Sequence, residues 1–207
     1  MTTTTAATAL MKRGVCHVFG DNIPLDEGVM AFKYAIGRVT DPQMLIPHLF
    51  EPIDPDFASR VKPGDLVIAG RNFGCGKPHT TGFIAMHALG LGVLCESMPA
   101  RALRGAVSKG LAVLAACEGV RAFVRDGDEM EIDFATGQAH NLTQDTHAAF
   151  PGMPAILRDI VAWGGTSGGL RNWLDTHPEQ RAAAPRAPLE GPPAGFVPMT
   201  FTRGGRT

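Results

Sequence analysis

Short apolar runs recur along the chain, and their lengths and periods separate strands from helices. Leu66–Ala69 (LVIA), Gly92–Cys95 and Leu111–Ala116 are unbroken apolar segments of strand length, which predicts strands buried on both faces. Between them, Thr80 or Thr81 can open a helix reaching about Leu89, and Pro99, tolerated in a first turn, opens another to Lys109. Val15–Phe19 (VCHVF) predicts an earlier strand that runs into a Gly20-Asp21-Asn22 turn. This β-loop-α-β-α-β order predicts parallel pairing through right-handed crossovers. The pattern then becomes alternating over Glu129–Phe134, turns at Ala135-Thr136-Gly137 and returns through Gln138–Leu142, a hairpin with one wet face. Met153–Trp163, closed by Gly164-Gly165, and Gly168–Leu174 predict two final helices. Leu157, Ile160, Trp163, Leu170, Trp173 and Leu174 are expected to pack them together.

The segment 24–60 holds five prolines and no sustained period. It predicts loops and short helices, and an irregular stretch of that length is often functional. Residues 1–13, rich in Thr and Ala, read as a frayed leader, 14–176 as the folded domain, and 177–207, rich in Pro, Gly and Arg, as a tail that is disordered or ordered on a partner. Hydrophobic residues make up 44%, charged residues 19%, and the net charge is −1, so no basic excess points to nucleic acid or an anionic membrane. With no signal-like start and no run of about 20 apolar residues, a soluble cytoplasmic protein is expected. Four cysteines stand far apart without a CxxC pair. That argues against a disulfide framework and against a metal site built by this chain, and Cys16, Cys95 and Cys117 read as buried small side chains. His17 and His87 read as core or half-buried, Arg101 and Arg104 as solvated, and Asp21 as a turn cap.

Chemistry concentrates in Asn72-Phe73-Gly74-Cys75-Gly76-Lys77-Pro78-His79-Thr80-Thr81, between a buried strand and a helix start. Ligands of open α/β sheets collect at the carboxyl ends of strands. The glycines permit close backbone approach, the helix start favours an anion, and Lys77 and His79 add a cation and a titratable group. The loop lacks the Gly-Lys-Ser/Thr of a phosphate-binding loop and the dinucleotide fingerprint. On spacing alone, a Gly-rich turn beside a solvated lysine and histidine is an equal alternative.

Further motifs carry a family resemblance. Asn72–Gly76 (NFGCG) resembles the NFGCGSSRE loop of isopropylmalate isomerase small subunits, related to the aconitase swivelling domain. Gly20-Asp21-Asn22-Ile23 with Asp26 resembles GDNIxTD, and Lys33-Tyr34 with Thr40-Asp41-Pro42-Gln43 resembles KYL-TTDPQ. Asp54–Ala58 and Val61–Asp65 resemble DPEFA and VKPGD, Asp126–Glu129 the late hairpin, and Gly168-Gly169-Leu170 the terminal GGL helix. The resemblance implies an α/β fold of the swivelling β/β/α type, a mixed sheet with parallel core strands, helices and a late β-hairpin. It implies a hydro-lyase or isomerase subunit acting on a hydroxy di- or tricarboxylic acid. The cofactor, a [4Fe-4S] cluster, would belong to a large-subunit partner and not to this chain.

The active loop departs from that pattern. Where relatives carry Ser-Ser-Arg, this chain has Lys77, Pro78 and His79. Lys77 could act as a base once desolvated, or grip a substrate carboxylate while the partner supplies the base; His79 could bind a carboxylate or move a proton. Asp26 would orient a catalytic group or the substrate. Asn72, Gly74, Cys75, Gly76 and Thr80 would line the substrate, and Ile36 and Arg38, in the stretch that selects the substrate side chain, would meet an apolar group or an extra carboxylate. The alternative is a non-catalytic, anion-binding or regulatory relative.

Overall fold

The computed structural model describes residues 10–77 and 79–180. Its centre is β1 (Met11–Val18), which has neighbours of opposite direction on its two sides. Parallel to it lies β2 (Leu66–Ala69), with Cys16 opposite Leu66, and β3 (Gly92–Cys95) and β4 (Ala112–Leu114) continue the parallel half. On the other side β5 (Glu129–Asp133) runs antiparallel, with Met11 opposite Asp133, followed by β6 (Gln138–Asn141) and β7 (Thr146–Ala149). The seven strands form one mixed sheet in the order β4-β3-β2-β1-β5-β6-β7.

The helices, in chain order, are α1 (Phe32–Ile36), α2 (Pro42–Leu45), α3 (Phe57–Arg60), α4 (Thr81–Ala88), α5 (Ala100–Ser108), α6 (Val120–Phe123), α7 (Ala155–Ala162) and α8 (Thr166–Thr176). Parallel strands need crossovers, and α4 and α5 supply them between β2, β3 and β4. Layers on both faces explain why β2, β3 and β4 are apolar at every position. Val67, Ala69, Val93, Cys95 and Val113 point into one core with Phe50, Phe57, Phe73 and Phe83. Leu66, Ile68, Leu94, Ala112 and Leu114 point into the other with Phe134, Val107, Val120 and Val161. No helix among the described residues is long and apolar enough to cross a membrane.

The proline-rich segment owes its order to packing, since its helices are too short to stand alone. Leu25, Val29, Met30, Leu45, Leu49, Phe50 and Phe57 are buried there. Phe19, just past β1, stacks on Phe50 with ring centroids 4.3 Å apart, and Phe50 meets Phe57 edge-on at 4.8 Å. Each buried aromatic of this kind contributes about 1.5–3 kcal/mol. That contribution offsets the left-handed backbone of Phe50 (φ 59°), a strain of about 1–3 kcal/mol.

A buried carboxylate ties β1 to the turn before β2. Asp65 accepts hydrogen bonds from the N–H of Val15 (3.0 Å), the N–H of Lys62 (2.8 Å) and Nε2 of His17 (2.9 Å). His17 is thus a satisfied core histidine, with its ring against Phe57. Asp128 plays the same part beside β5. Burial alone would push its carboxyl up, but the N–H of Arg125 and the amides of Asn141 and Gln144 outweigh that and hold it below the usual carboxylate range.

Several expectations are corrected. Residues 11–13, read as the end of the leader, pair in β1 with Asp133, Ile132 and Glu131 of β5, and Leu10 just before them is buried in the core. The hairpin has a third strand, β7, whose exposed THAA sequence gave no apolar signal. Trp163, Leu170 and Trp173 do not form a buried cluster: they are 47, 58 and 44% exposed, and only Leu157 and Ile160 reach the core. His87 is exposed, although Nδ1 lies 3.0 Å from the carbonyl of Gly110. Cys16, Cys95 and Cys117 are fully buried, and Arg101 and Arg104 are solvated. Of the tail, Pro178–Gln180 forms one 3₁₀ turn; residues 181–207 and 1–9 lie outside the described residues.

Truncating Asp65 leaves the buried His17 and two part-buried main-chain N–H groups without an acceptor, so Asp65→Ala should cost about 3–5 kcal/mol in denaturant unfolding; a loss below about 1 kcal/mol would contradict this account. Asp128 has a depressed folded pKa, so its contribution is present above the unfolded value, roughly pH 4, and is lost as pH falls through the folded value. The unfolding midpoint should therefore drop on acidification below about pH 4, and Asp128→Asn, less stable at neutral pH, should lose less over the same range.

Candidate active site

The glycine-rich loop leaves the carboxyl end of β2 beside the loop that leaves β1, and the two are joined by main-chain hydrogen bonds. The N–H of Gly70 donates to Gly20 (3.1 Å), that of Asn22 to Arg71 (2.8 Å), that of Gly74 to Ile23 (2.8 Å) and that of Leu25 to Cys75 (3.1 Å). Asp21 accepts from the N–H of Arg71 (2.8 Å), and the Asn72 amide donates to Asn22 Oδ1 (2.9 Å). Two glycines make the approach possible. A Cβ on Gly70 would lie 1.9 Å from Asp21 Oδ1; one on Gly74, whose φ is 78°, would lie 2.9 Å from the Ala102 methyl of α5. Phe73 and Leu25 are buried beneath the junction.

The junction carries Asp26 to the end of the glycine loop. Its carboxylate oxygens lie 2.7 and 3.0 Å from Nδ1 of His79. The side chain of His79 is 38% exposed and that of Asp26 19%, so the pair sits at the surface with Nε2 of His79 left for another group. A tight turn, with the N–H of His79 donating to the Lys77 carbonyl (2.9 Å), holds the loop end. The Phe32 ring at the start of α1 lies 5.2 Å from the His79 ring and 5.9 Å from Nζ of Lys77. Lys77 is exposed, and among the described residues its ammonium has no carboxylate partner. Among the described residues, Lys77 stays in contact with solvent.

Lys77, His79 and Asp26 are thus brought together, and Asn72, Gly74, Cys75 and Gly76 form the adjoining wall, Cys75 half-buried and Gly76 exposed. Thr80 occupies the N-cap of α4 without a side-chain cap; its methyl instead faces Gly105 of α5. Ile36 and Arg38, at and beyond the end of α1, are exposed, Ile36 to 68%, with no contact to the His79 pair among the described residues. Two residues escaped sequence reading. Phe32 lies just before the Lys33-Tyr34 motif, and nothing in its type marks it. Arg121 reaches from α6 to Asp21 (2.8 Å) and toward Glu96 (3.6 Å), so Asp21 is more than a turn cap; a lone arginine 100 positions away in the chain carries no local signal.

No family model matches the chain. It is 35% identical over 158 residues to the 3-isopropylmalate dehydratase small subunit of Moorella thermoacetica, covering 75% of this chain and 92% of that protein. It is 40% identical over 166 residues to the small subunit of the same name from Pyrobaculum calidifontis, covering 79% and 99%. The isopropylmalate/citramalate isomerase small subunit of Methanocaldococcus jannaschii is 32% identical over 154 residues, with 74% and 89% covered. The crystal structure of a 3-isopropylmalate dehydratase from that organism superposes with a TM-score of 0.74 at 27% identity, over 82% of this chain and 99% of the other. Its mixed α/β sheet is the fold that the motifs implied. On sequence and on fold together, this chain belongs to the 3-isopropylmalate dehydratase small-subunit family.

Proposed function

We propose that this chain, as the small subunit of a heteromeric hydro-lyase, brings His79 and Asp26 to the reaction as a proton-moving pair and Lys77 as a grip for a substrate carboxylate. The substrate class is a hydroxy di- or tricarboxylic acid, converted by reversible loss and addition of water. The observation that carries the reading is the contact of Asp26 with Nδ1 of His79 at 2.7 and 3.0 Å. A carboxylate there accepts the Nδ1 proton, which leaves the lone pair on Nε2 and steadies the imidazolium once Nε2 has taken a proton from the carbon beside a substrate carboxylate. Lys77, exposed on the same loop, offers its ammonium donors to that carboxylate. The main-chain N–H of Gly76, exposed where the backbone is left-handed (φ 83°), can supplement it.

The partner in this reading is a large subunit that holds a [4Fe-4S] cluster; when bound, the cluster supplies a Lewis acid for the substrate hydroxyl. The thiols of this chain fit that division. Burial pushes Cys16 and Cys117 up to about 12 and raises Cys95 as well, so these three are core groups and not thiolate ligands. Ile36, Met44 and Ile53 stand exposed on the proline-rich segment and are apolar area that a partner subunit would cover. Cytoplasmic location is part of the same reading.

The test is anaerobic co-expression with a large subunit, followed by kinetics on a panel of hydroxy diacids and triacids. His79→Gln should lower kcat by about 10²–10⁴-fold with little change in KM, and Lys77→Ala should act chiefly on KM. Full kcat in His79→Gln would remove the pair from the chemistry. A Lys77→Ala variant that loses kcat at unchanged KM would make Lys77 the base, and binding of these acids without turnover would support the anion-binding alternative.

A further inference from the structure

The outer face of the antiparallel half carries a second cluster that the dehydratase reading does not use. β6 and β7 are joined by a four-residue turn whose register is held from inside. Asn141, fully buried, donates to Asp128 (2.8 Å) and accepts the N–H groups of Thr143 and Gln144, both at 3.1 Å. That register sets His140 opposite His147. The two imidazoles stack with centroids 4.0 Å apart and planes 19° from parallel. Asp145, held at φ 52°, returns its carboxylate to within 3.1 Å of Nε2 of His140. One ligand atom from each of the three residues lies within 4.8 Å of the others. In the next strand Glu131 is paired with His140, and a shallow depression of about 260 Å³ on this face is lined by both histidines, Glu131 and Asp133. Arg13, opposite Glu131 in the β1–β5 register, is engaged by Glu129 at 2.8 Å.

We propose that His140, His147 and Asp145 bind one divalent first-row cation of the zinc type, which clips the edge strand β7 to β6. Two imidazoles and a carboxylate match the hardness of that ion, whose bonds of about 2.0–2.2 Å draw three donors together from this spacing and leave a fourth position for water or Glu131. Directly opposed residues of an antiparallel pair have Cβ atoms about 4.5–5.5 Å apart, so the histidines converge without backbone movement. The benefit is structural. β7 is the sheet edge, hydrogen-bonded to β6 alone and exposed at three of its four residues, and an ion held only by the folded hairpin stabilises it by mass action. The site lies three and four strands from β2 in the sheet order, so it is separate from the glycine-rich loop.

The experiment is calorimetric titration of the metal-free full-length chain with zinc chloride, alongside imidazole nitrogen NMR. One ion per chain is expected, with a higher thermal midpoint and shifts confined to His140 and His147. His140→Gln and His147→Gln should each weaken binding by about 10–100-fold, and His87→Gln, an exposed histidine elsewhere, should leave it unchanged. Absence of zinc uptake, uptake unaltered in both hairpin variants, or spectral shifts at other histidines would each overturn the proposal. Should a variant fold poorly, the wild-type imidazole spectrum alone decides.

Discussion

The parallel adjacency of β1 and β2 is the constraint on which the candidate site rests. Two strands that run the same way release their following loops at the same end of the sheet. Gly20–Asp26 and Gly70–His79 therefore emerge side by side and satisfy one another's backbone groups. A loop without such a partner would leave its amides to water and its conformation unset. Here each loop supplies the acceptors the other lacks, and glycines stand where the chains come too close for a side chain. The meeting of Asp26 with His79 is the last link of that junction.

Burial below the junction makes it rigid. Phe73 and Leu25 enter the core from the two loops, and Phe19, Phe50 and Phe57 gather the proline-rich segment against the same layer. That segment has little helix of its own, yet Leu25, Val29, Met30, Leu45, Leu49, Phe50 and Phe57 are as buried as the strand residues. Asp65 and Asp128 do comparable work with hydrogen bonds: each satisfies several donors that would otherwise be left unpaired at strand ends. The polar core is thus small and placed where the sheet changes from parallel to antiparallel.

The site itself is one wall. His79, Lys77 and the exposed backbone of Gly76 face outward with no roof among the described residues, an arrangement that suits the proposed role of a subunit closing on a partner. Ile36, Met44 and Ile53 of the proline-rich segment are exposed as well. The proposed proton-moving pair at the end of β2 and the proposed ligand cluster on β6 and β7 lie in different parts of the sheet.

Much of the fold was legible because its signals are local. Leu66–Ala69, Gly92–Cys95 and the alternating Glu129–Asp133 were read from period and length, and the glycine loop from its composition. Lys77, His79 and Asp26 entered as candidates through motifs quoted residue by residue. The misses were non-local. β7 is a strand because β6 offers its edge, Met11–Arg13 are ordered because β5 pairs with them, and Trp163 and Trp173 lie exposed because no element among the described residues covers them. The sequence by itself determined the buried parallel strands, the alternating strand before the hairpin turn, the longer helices and the residue types at the loop, since those depend on neighbours along the chain. Only the tertiary structure decided that Asp26 reaches His79, that Arg121 reaches Asp21 and that His140 faces His147, because these contacts depend on strand order and register, which link positions distant in the chain.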